Sequence, residues 1–133
     1  MLGVDTNVLV RFLAEDDPVQ TPIAVTLLTG KNHLPFFVST LVLSEAFTVL
    51  TRVMKFPRPQ VIETFWRLAD SDAFAFEDVG LLRTALTDAE AAGCGLTDAL
   101  IARQNQAAGC STTVTFDHRA TRLDAMSPAE TFI

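Results

Sequence analysis

Short apolar runs alternate along the chain with longer helix-like segments, and this alternation limits the fold more than any other feature. The strand-like runs are LGV, FFV, AFAF, TTVTF and a final TFI, at residues 2–4, 36–38, 73–76, 112–116 and 131–133. The helical patterns cover residues 6–14, 19–28, 41–54, 59–69, 81–92 and 98–108. Strands that alternate with helices are typical of an α/β fold with a mainly parallel sheet.

The residues that break these segments support the same organisation. Asp17 stands before a proline and predicts a side-chain cap at the start of the second helix. Gly30 and Gly109 fall where helices are expected to end. Pro57 and Pro59 separate the third predicted helix from the fourth.

Length and cysteine content predict one domain in a reducing compartment. A chain of 133 residues is long enough for a single core, and no stretch approaches the roughly 18 consecutive apolar residues of a membrane span. The amino terminus lacks the pattern of a signal peptide, because Asp5 and Arg11 interrupt its apolar run. Cys94 and Cys110 have no zinc spacing, so we expect reduced thiols in a cytoplasmic protein.

The charge balance is acidic, with 16 Asp and Glu against 10 Lys and Arg and a net charge of −6. This argues against a protein that holds nucleic acid through a broad basic surface. It leaves open an enzyme that meets a phosphate through a metal ion. The hydrophobic content of 49% is high for a short chain, and it predicts apolar surface in a subunit or partner interface.

Four acidic residues stand at positions that invite a functional interpretation, and each also has an ordinary structural one. Asp5 lies between a strand and a helix and suits either a helix cap or a metal ligand. Asp98 begins a helix, where the helix dipole favours a carboxylate, and Asp117 closes a strand, where it can cap a turn. Glu45 lies inside a helix at the edge of the apolar face, where a solvated or ion-paired glutamate is common.

Taken together, the acids indicate a metal site. In a parallel sheet the strand ends that lead into helices share one edge, so Asp5 and Asp117 are expected there. Asp98 begins the helix that leads into the Asp117 strand. Clustered carboxylates require a cation, and Mg²⁺ and Mn²⁺ suit oxygen ligands. Because no serine or cysteine elbow and no phosphate-binding glycine loop competes, metal-activated water attacking phosphorus is the expected chemistry.

Four stretches of the chain resemble the acidic motifs of PIN-domain nucleases. They are VDTNVLVRFL at the start, LSEAF in the third helix, LTDAL before the sixth and TFD at the last clear strand. Their order and approximate spacing match that family over nearly the whole chain. Within the family, the chain looks most like the VapC-type toxins of toxin–antitoxin pairs, to which its EDDP stretch is also similar.

The resemblance implies a single PIN domain over residues 1–133. Its fold would be a three-layer α/β/α sandwich with a central, mainly parallel sheet of four to five strands. It further implies a usually dimeric endoribonuclease that depends on Mg²⁺ or Mn²⁺ and cuts RNA. The expected partner is a small antitoxin that occupies the active-site groove and itself binds operator DNA.

The resemblance also assigns roles to residues of this chain. It implies that the catalytic acids are Asp5, Glu45, Asp98 and Asp117. Asp5 and Asp98 would be the direct metal ligands, with Glu45 and Asp117 as further candidates. Asn7 is expected to hold Asp5 by a side-chain hydrogen bond.

Three further groups of residues carry weaker expectations. The side chains of Thr113 and Thr115 alternate with Val114 and are expected to point the same way, so that one hydroxyl reaches the site, and the resemblance implies Thr115 as a supporting group. Arg11 and Arg119 are candidates to guide RNA phosphates, although solvated surface arginines fit equally well. The aromatic side chains of Phe56, Phe65 and Trp66 fit core or dimer packing better than base stacking.

Three rival functions have to be weighed against a toxin nuclease. A phospho-accepting receiver domain would need a lysine after a late strand, and the only lysines are Lys31 and Lys55. A catalytically idle PIN-like binding module is disfavoured because all four acids are present. A housekeeping PIN nuclease without an antitoxin stays open, as does the choice among transfer, ribosomal and messenger RNA targets.

Overall fold

The structure, a computed structural model, describes residues 1–133 and divides them into two compact units, Met1–Val79 and Gly80–Ile133. We call them the amino-terminal and carboxy-terminal units and describe each by itself. Both combine helices with a parallel strand pair, so the predicted α/β class is confirmed. None of the helices has the length and apolar content needed to span a membrane.

The amino-terminal unit contains four α-helices and a parallel strand pair. The helices are α1 (Thr6–Ala14), α2 (Gln20–Thr29), α3 (Thr40–Thr48) and α4 (Arg58–Asp70), and the strands are β1 (Phe36–Val38) and β2 (Phe74–Phe76). Phe36 lies opposite Phe74 in the ladder. On the other side of β1, the amide of Phe37 donates to the carbonyl of Leu2 at 2.8 Å, and the amide of Val4 donates to the carbonyl of Phe37 at 2.9 Å. The start of the chain therefore runs parallel to β1, as a third segment.

The carboxyl ends of these three segments share one edge of the unit because the segments are parallel. Asp5, Ser39 and Glu77 follow them directly. The Ser39 hydroxyl accepts from the amide of Val42 at 3.2 Å, and the Glu77 carboxylate accepts from the amide of Thr40 at 2.8 Å. Ser39 and Glu77 therefore accept hydrogen bonds from backbone amides at the amino end of α3, whereas Asp5 lies at the amino end of α1.

The core of the amino-terminal unit is aromatic and aliphatic. Phe36, Val38 and Phe65 are fully buried. Phe65 meets Phe47 edge to face, with the ring centroids 5.6 Å apart. Phe65 thus belongs to the core, as the packing interpretation of the sequence predicted, and aromatic pairs of this geometry add to the free energy of burial.

Helix α3 does not continue as an α-helix to residue 54. A π-helical turn, Val49–Val53, follows it directly, and the amide of Met54 donates to the carbonyl of Val49, five residues back, at 2.9 Å. The sequence prediction of one α-helix over residues 41–54 is wrong in this last part. A wider turn of this kind rotates the residues that follow it relative to those that precede it.

The carboxy-terminal unit is built from two helices and a second strand pair. Its elements are α5 (Val79–Ala92), α6 (Leu96–Ala107), β3 (Thr113–Thr115) and β4 (Met126–Pro128), with 3₁₀ turns at Ala120–Arg122 and Ala129–Phe132. Strands β3 and β4 are parallel. The guanidinium of Arg103 on α6 binds Asp88 on α5 through two hydrogen bonds of 2.6 and 3.0 Å. This bidentate contact raises the pKa of Arg103 and connects the two helices.

Element bounds agree with the sequence prediction over most of the chain, with three differences among the strands. The predicted final strand at residues 131–133 is wrong, because this stretch belongs to a 3₁₀ turn. The last strand is Met126–Pro128, which no apolar run announces. The four strands form two parallel pairs, and the predicted strand at residues 2–4 is an extended segment with a single bridge at Gly3.

The two cysteines are both free thiols, and Cys94 is buried whereas Cys110 is exposed.

Asp17 caps the start of α2, as the sequence predicts. Its Oδ1 accepts from the amide of Gln20 at 2.7 Å and from the amide of Val19 at 2.9 Å. These two hydrogen bonds, the one from Gln20 foremost, hold the pKa of Asp17 below its usual value of 3.8. The ionised form is therefore the one that stabilises the fold.

Replacing this cap tests its contribution to stability. Since the folded pKa lies below the unfolded one, the stabilisation is complete above the unfolded pKa and is lost as pH falls through the folded pKa. Asp17→Ala should lower the thermal midpoint at neutral pH and lower it less at about pH 2. Circular dichroism melts measure both values. Asp17→Asn, which keeps the acceptor, should stay near wild type, and an equal loss for Asp17→Ala at both pH values would contradict the cap.

Candidate active site

Asp5 stands at the amino end of α1 with its backbone extended and its carboxylate exposed. Its Oδ1 accepts from the amide of Thr6 at 2.7 Å. The cap interpretation of Asp5 is therefore confirmed for one carboxylate oxygen. Capping occupies Oδ1 alone, so Oδ2 keeps its lone pairs for a ligand, and the cap does not exclude a metal.

Thr6 connects Asp5 to the second acid of this unit. Thr6 is the only polar or charged residue of the chain that is buried, with 8% of the residue exposed. The hydroxyl donates to Oε2 of Glu45 at 2.8 Å, across 39 positions of sequence. Glu45 is itself exposed, and its partner is a neutral hydroxyl rather than the basic side chain that the edge of its helix suggested.

Two carboxylates therefore meet at one threonine. The backbone amide of Thr6 holds Asp5, and its side chain holds Glu45. Mg²⁺ is commonly bound through one or two carboxylates, with water and substrate phosphate completing its shell, so this donor set fits Mg²⁺ or Mn²⁺. Neither unit by itself gathers three His, Cys, Asp or Glu side chains into one group.

Asn7 and Arg11, which the sequence analysis linked to the site, both lie on α1. Asn7 is exposed, and the hydrogen bond that it was predicted to give Asp5 comes from Thr6 instead. The guanidinium of Arg11 donates to the side chain of Gln20 at 2.9 Å and forms a 3.4 Å ion pair with Asp16. Arg11 is thus directed towards the start of α2.

An apolar groove of about 250 Å³ runs between α1 and α2, beginning one turn from Asp5. Its lining residues are Asn7, Val8, Arg11, Gln20, Ile23, Ala24 and Leu27. Ile23 is 65% exposed although it lies mid-helix. A continuous apolar strip open to solvent is typical of a surface that another chain covers.

Asp117 in the carboxy-terminal unit also uses one oxygen as a cap. Its Oδ1 accepts from the amides of Arg119 at 2.8 Å and Ala120 at 3.4 Å, which begins the 3₁₀ turn. Its own amide donates to the hydroxyl of Thr115 at 3.0 Å. Thr115 therefore contacts Asp117 through the backbone amide of that residue, and Thr113 accepts from the side chain of Asn105 on α6.

Asp98 occupies the first turn of α6 and is half-buried. A carboxylate in this position is stabilised by the amide dipoles of the helix start. Arg119, two residues after Asp117, is exposed. Both residues therefore keep the positions that the sequence predicted for them, one in a helix start and one at the surface beside an acid.

A cavity in the carboxy-terminal unit is separate from Asp117. It measures about 340 Å³ and is lined mainly by residues of α5, α6 and the stretch 122–125. Asp124 and Ala125 precede β4, whereas Asp117 follows β3. Because the two strands are parallel, the cavity and Asp117 lie at opposite edges of the pair.

The family model described as PIN domain matches residues 3–126. The chain belongs to the PIN domain family. PIN domains are generally metal-dependent nucleases, so membership indicates a nuclease-type function, and all four predicted acids lie within the matched residues. No curated protein and no solved structure gives a significant match.

Thr6 is the functional candidate that sequence reasoning missed. The available signal was a hydroxyl residue directly after the acid that ends the first strand segment. Because a buried hydroxyl requires a partner, such a residue predicts a polar contact from elsewhere in the chain.

We expect Thr6→Val to weaken Mn²⁺ binding about 10- to 100-fold, because valine keeps the shape but releases Glu45. Thr6→Ser keeps the hydroxyl and should bind Mn²⁺ nearly as the wild type does. Isothermal titration calorimetry gives the affinities, and circular dichroism checks that both variants fold. Equal Mn²⁺ affinity in Thr6→Val and wild type would show that this hydrogen bond does not organise the site.

Proposed function

We propose that this PIN domain is an endoribonuclease that depends on Mg²⁺ or Mn²⁺ and acts as the toxin of a VapBC-type toxin–antitoxin pair. The observation that carries the nuclease assignment is the pair of carboxylates held at Thr6, on the edge where three parallel segments end. Oxygen donors at that edge match the ligand preference of the two cations.

Each acid has a role in the proposal. Asp5 and Glu45 would hold the cation within the amino-terminal unit, and the resemblance to PIN nucleases assigns Asp98 and Asp117 as further catalytic acids. When bound, the cation supplies a nucleophilic water and neutralises charge on the phosphate. In such a hydrolysis the water oxygen would bond to phosphorus as one bridging phosphodiester oxygen leaves, and the proton lost by the water would be balanced by one taken up by the leaving oxygen.

The polar neighbours keep these carboxylates oriented. Thr6 fixes one oxygen of Asp5 and one of Glu45, which limits how each carboxylate rotates. The turn amides of Arg119 and Ala120 do the same for Asp117. A carboxylate held in this way loses less side-chain entropy when it binds a ligand.

RNA approaches a chain whose net charge is −6, so local positive charge has to guide it. Arg119 is exposed next to Asp117 and is the better candidate. Arg11 is already engaged with Gln20 and Asp16, which leaves it a smaller role.

Cleavage of a mixed cellular RNA pool tests the nuclease. Purified wild type should give discrete fragments with Mg²⁺ or Mn²⁺ and none with EDTA. Asp5→Asn and Asp98→Asn should each lower the cleavage rate by at least about 100-fold, since each removes a ligand charge and keeps side-chain size.

The matched control for this experiment is Asp72→Asn, an exposed acid that precedes β2 at the edge opposite Asp5, which should cleave as the wild type does. Full activity in Asp5→Asn would contradict the assignment. Silence of the wild type under every metal condition would favour the catalytically idle module.

The toxin role rests on surface features as well as on the resemblance. The apolar groove between α1 and α2 fits an apolar segment of a small antitoxin, and Arg11 at its rim fits an acidic side chain of that segment. Its position beside Asn7 would bring the antitoxin close to Asp5, within the active-site groove. Cytoplasmic location, a homodimer, and operator DNA bound only through the antitoxin complete the proposal.

Growth of a bacterial host distinguishes the toxin from a housekeeping nuclease. Induced wild type should arrest growth, and Asp5→Asn should not, because arrest would require RNA cleavage. Co-expression of an adjacent small open reading frame should restore growth, and Ile23→Glu should abolish that rescue by placing a charge in the groove. Cleavage in vitro without growth arrest would favour the housekeeping alternative.

A further inference from the structure

Phe116 stands out among the aromatic residues of the chain. It is 86% exposed, and Phe132 is the only other phenylalanine of the ten that is largely exposed, whereas the remaining eight are buried or partly buried. Burial of a phenylalanine is among the largest single contributions to folding, and here it is forgone. A side chain left in solvent at such a position suits a ligand better than the core.

The backbone around Phe116 is well fixed. It lies between Thr115, the last residue of β3, and Asp117. The hydrogen bond from the Asp117 amide to Thr115 and the two turn amides on the Asp117 carboxylate hold both of its neighbours. A ring presented from such a turn loses little freedom when it binds, which favours flat, repeated contacts such as stacking.

The chemistry around the ring favours nucleic acid over a protein partner. His118 and Arg119 are exposed just after Asp117. The only apolar neighbour on the same strand face is Val114, at 55% exposure. Two apolar side chains are far less than the roughly 800 Å² per partner of a protein interface. An exposed aromatic ring followed closely in the chain by an exposed arginine suits a stacking platform for unpaired bases.

We propose that Phe116 stacks on an unpaired base of single-stranded RNA and so positions the backbone beside Asp117. The inference rests on the proposed function, since it takes RNA as the substrate. Bases in a duplex are already stacked and cannot cover the ring. The contact therefore selects single-stranded segments, without strong preference for one base, because every base has a π-face.

Fluorescence tests the contact directly. The chain has one tryptophan, Trp66, and no tyrosine, so Phe116→Trp adds one reporter to a known background. In the Asp98→Asn background with Mg²⁺, we titrate a 12-nucleotide oligouridylate. Stacking should quench the new tryptophan, and the parent protein should show no comparable change. Saturable binding of the oligonucleotide, measured by anisotropy, without quenching of the new tryptophan would overturn the proposal.

Affinity separates stacking from apolar packing. By fluorescence anisotropy of labelled oligouridylate, Phe116→Ala and Phe116→Leu should bind about tenfold more weakly than Phe116 or Phe116→Trp. A hairpin duplex should bind all four proteins equally. The proposal would be overturned if Phe116→Ala or Phe116→Leu bound oligouridylate as tightly as the wild type. It would also be overturned if the substitutions changed self-association of the protein and left RNA affinity unchanged.

Failure of the proposed function gives a different result. Cleavage of the oligonucleotide that persists in Asp98→Asn would count against the catalytic assignment, while the quenching would still report the stack. Conversely, wild-type cleavage with no effect of Phe116→Ala on KM would leave the nuclease intact and remove the platform. No binding of the oligonucleotide by any protein would overturn both.

Discussion

The hydrogen bond between the Thr6 hydroxyl and Glu45 is the interaction on which the site depends. It joins the first turn of α1 to α3, and it satisfies a hydroxyl that is otherwise buried. Because burying an unpaired hydroxyl costs free energy, the fold itself requires an acceptor at position 45. Stability and function therefore act on the same residue, and Glu45 holds its orientation before any metal or RNA arrives.

Local pattern predicted the elements whose signals lie within one segment. Strand β1 and helix α1 have the predicted bounds, since each is a compact apolar pattern with a clear start. Strand β4 was not predicted because Ser127 and Pro128 have low strand propensity. Its conformation is set by its pairing with β3. The prediction of a strand at residues 131–133 was wrong for the opposite reason. This stretch has an apolar, strand-like pattern but no strand partner.

The candidate site shows the same division. The cap geometry of Asp5 and Asp117 followed from their places between a strand and a helix or turn. The partner of Glu45 could not be predicted in this way. Helical periodicity places a residue on one face of its helix, but it does not indicate that a side chain 39 positions away packs against that face. Exposure of Phe116 was equally hidden, since sequence gives an aromatic residue after a strand no reason to lie in solvent.

The π-helical turn after α3 has a consequence for how the chain tolerates change. A turn that closes over five residues accommodates one residue more than an α-turn, which rotates everything beyond it by about 100°. Loss of one residue in this stretch would convert the π-helical turn into an α-helical one, and Glu45, which precedes the turn, would keep its alignment with Thr6.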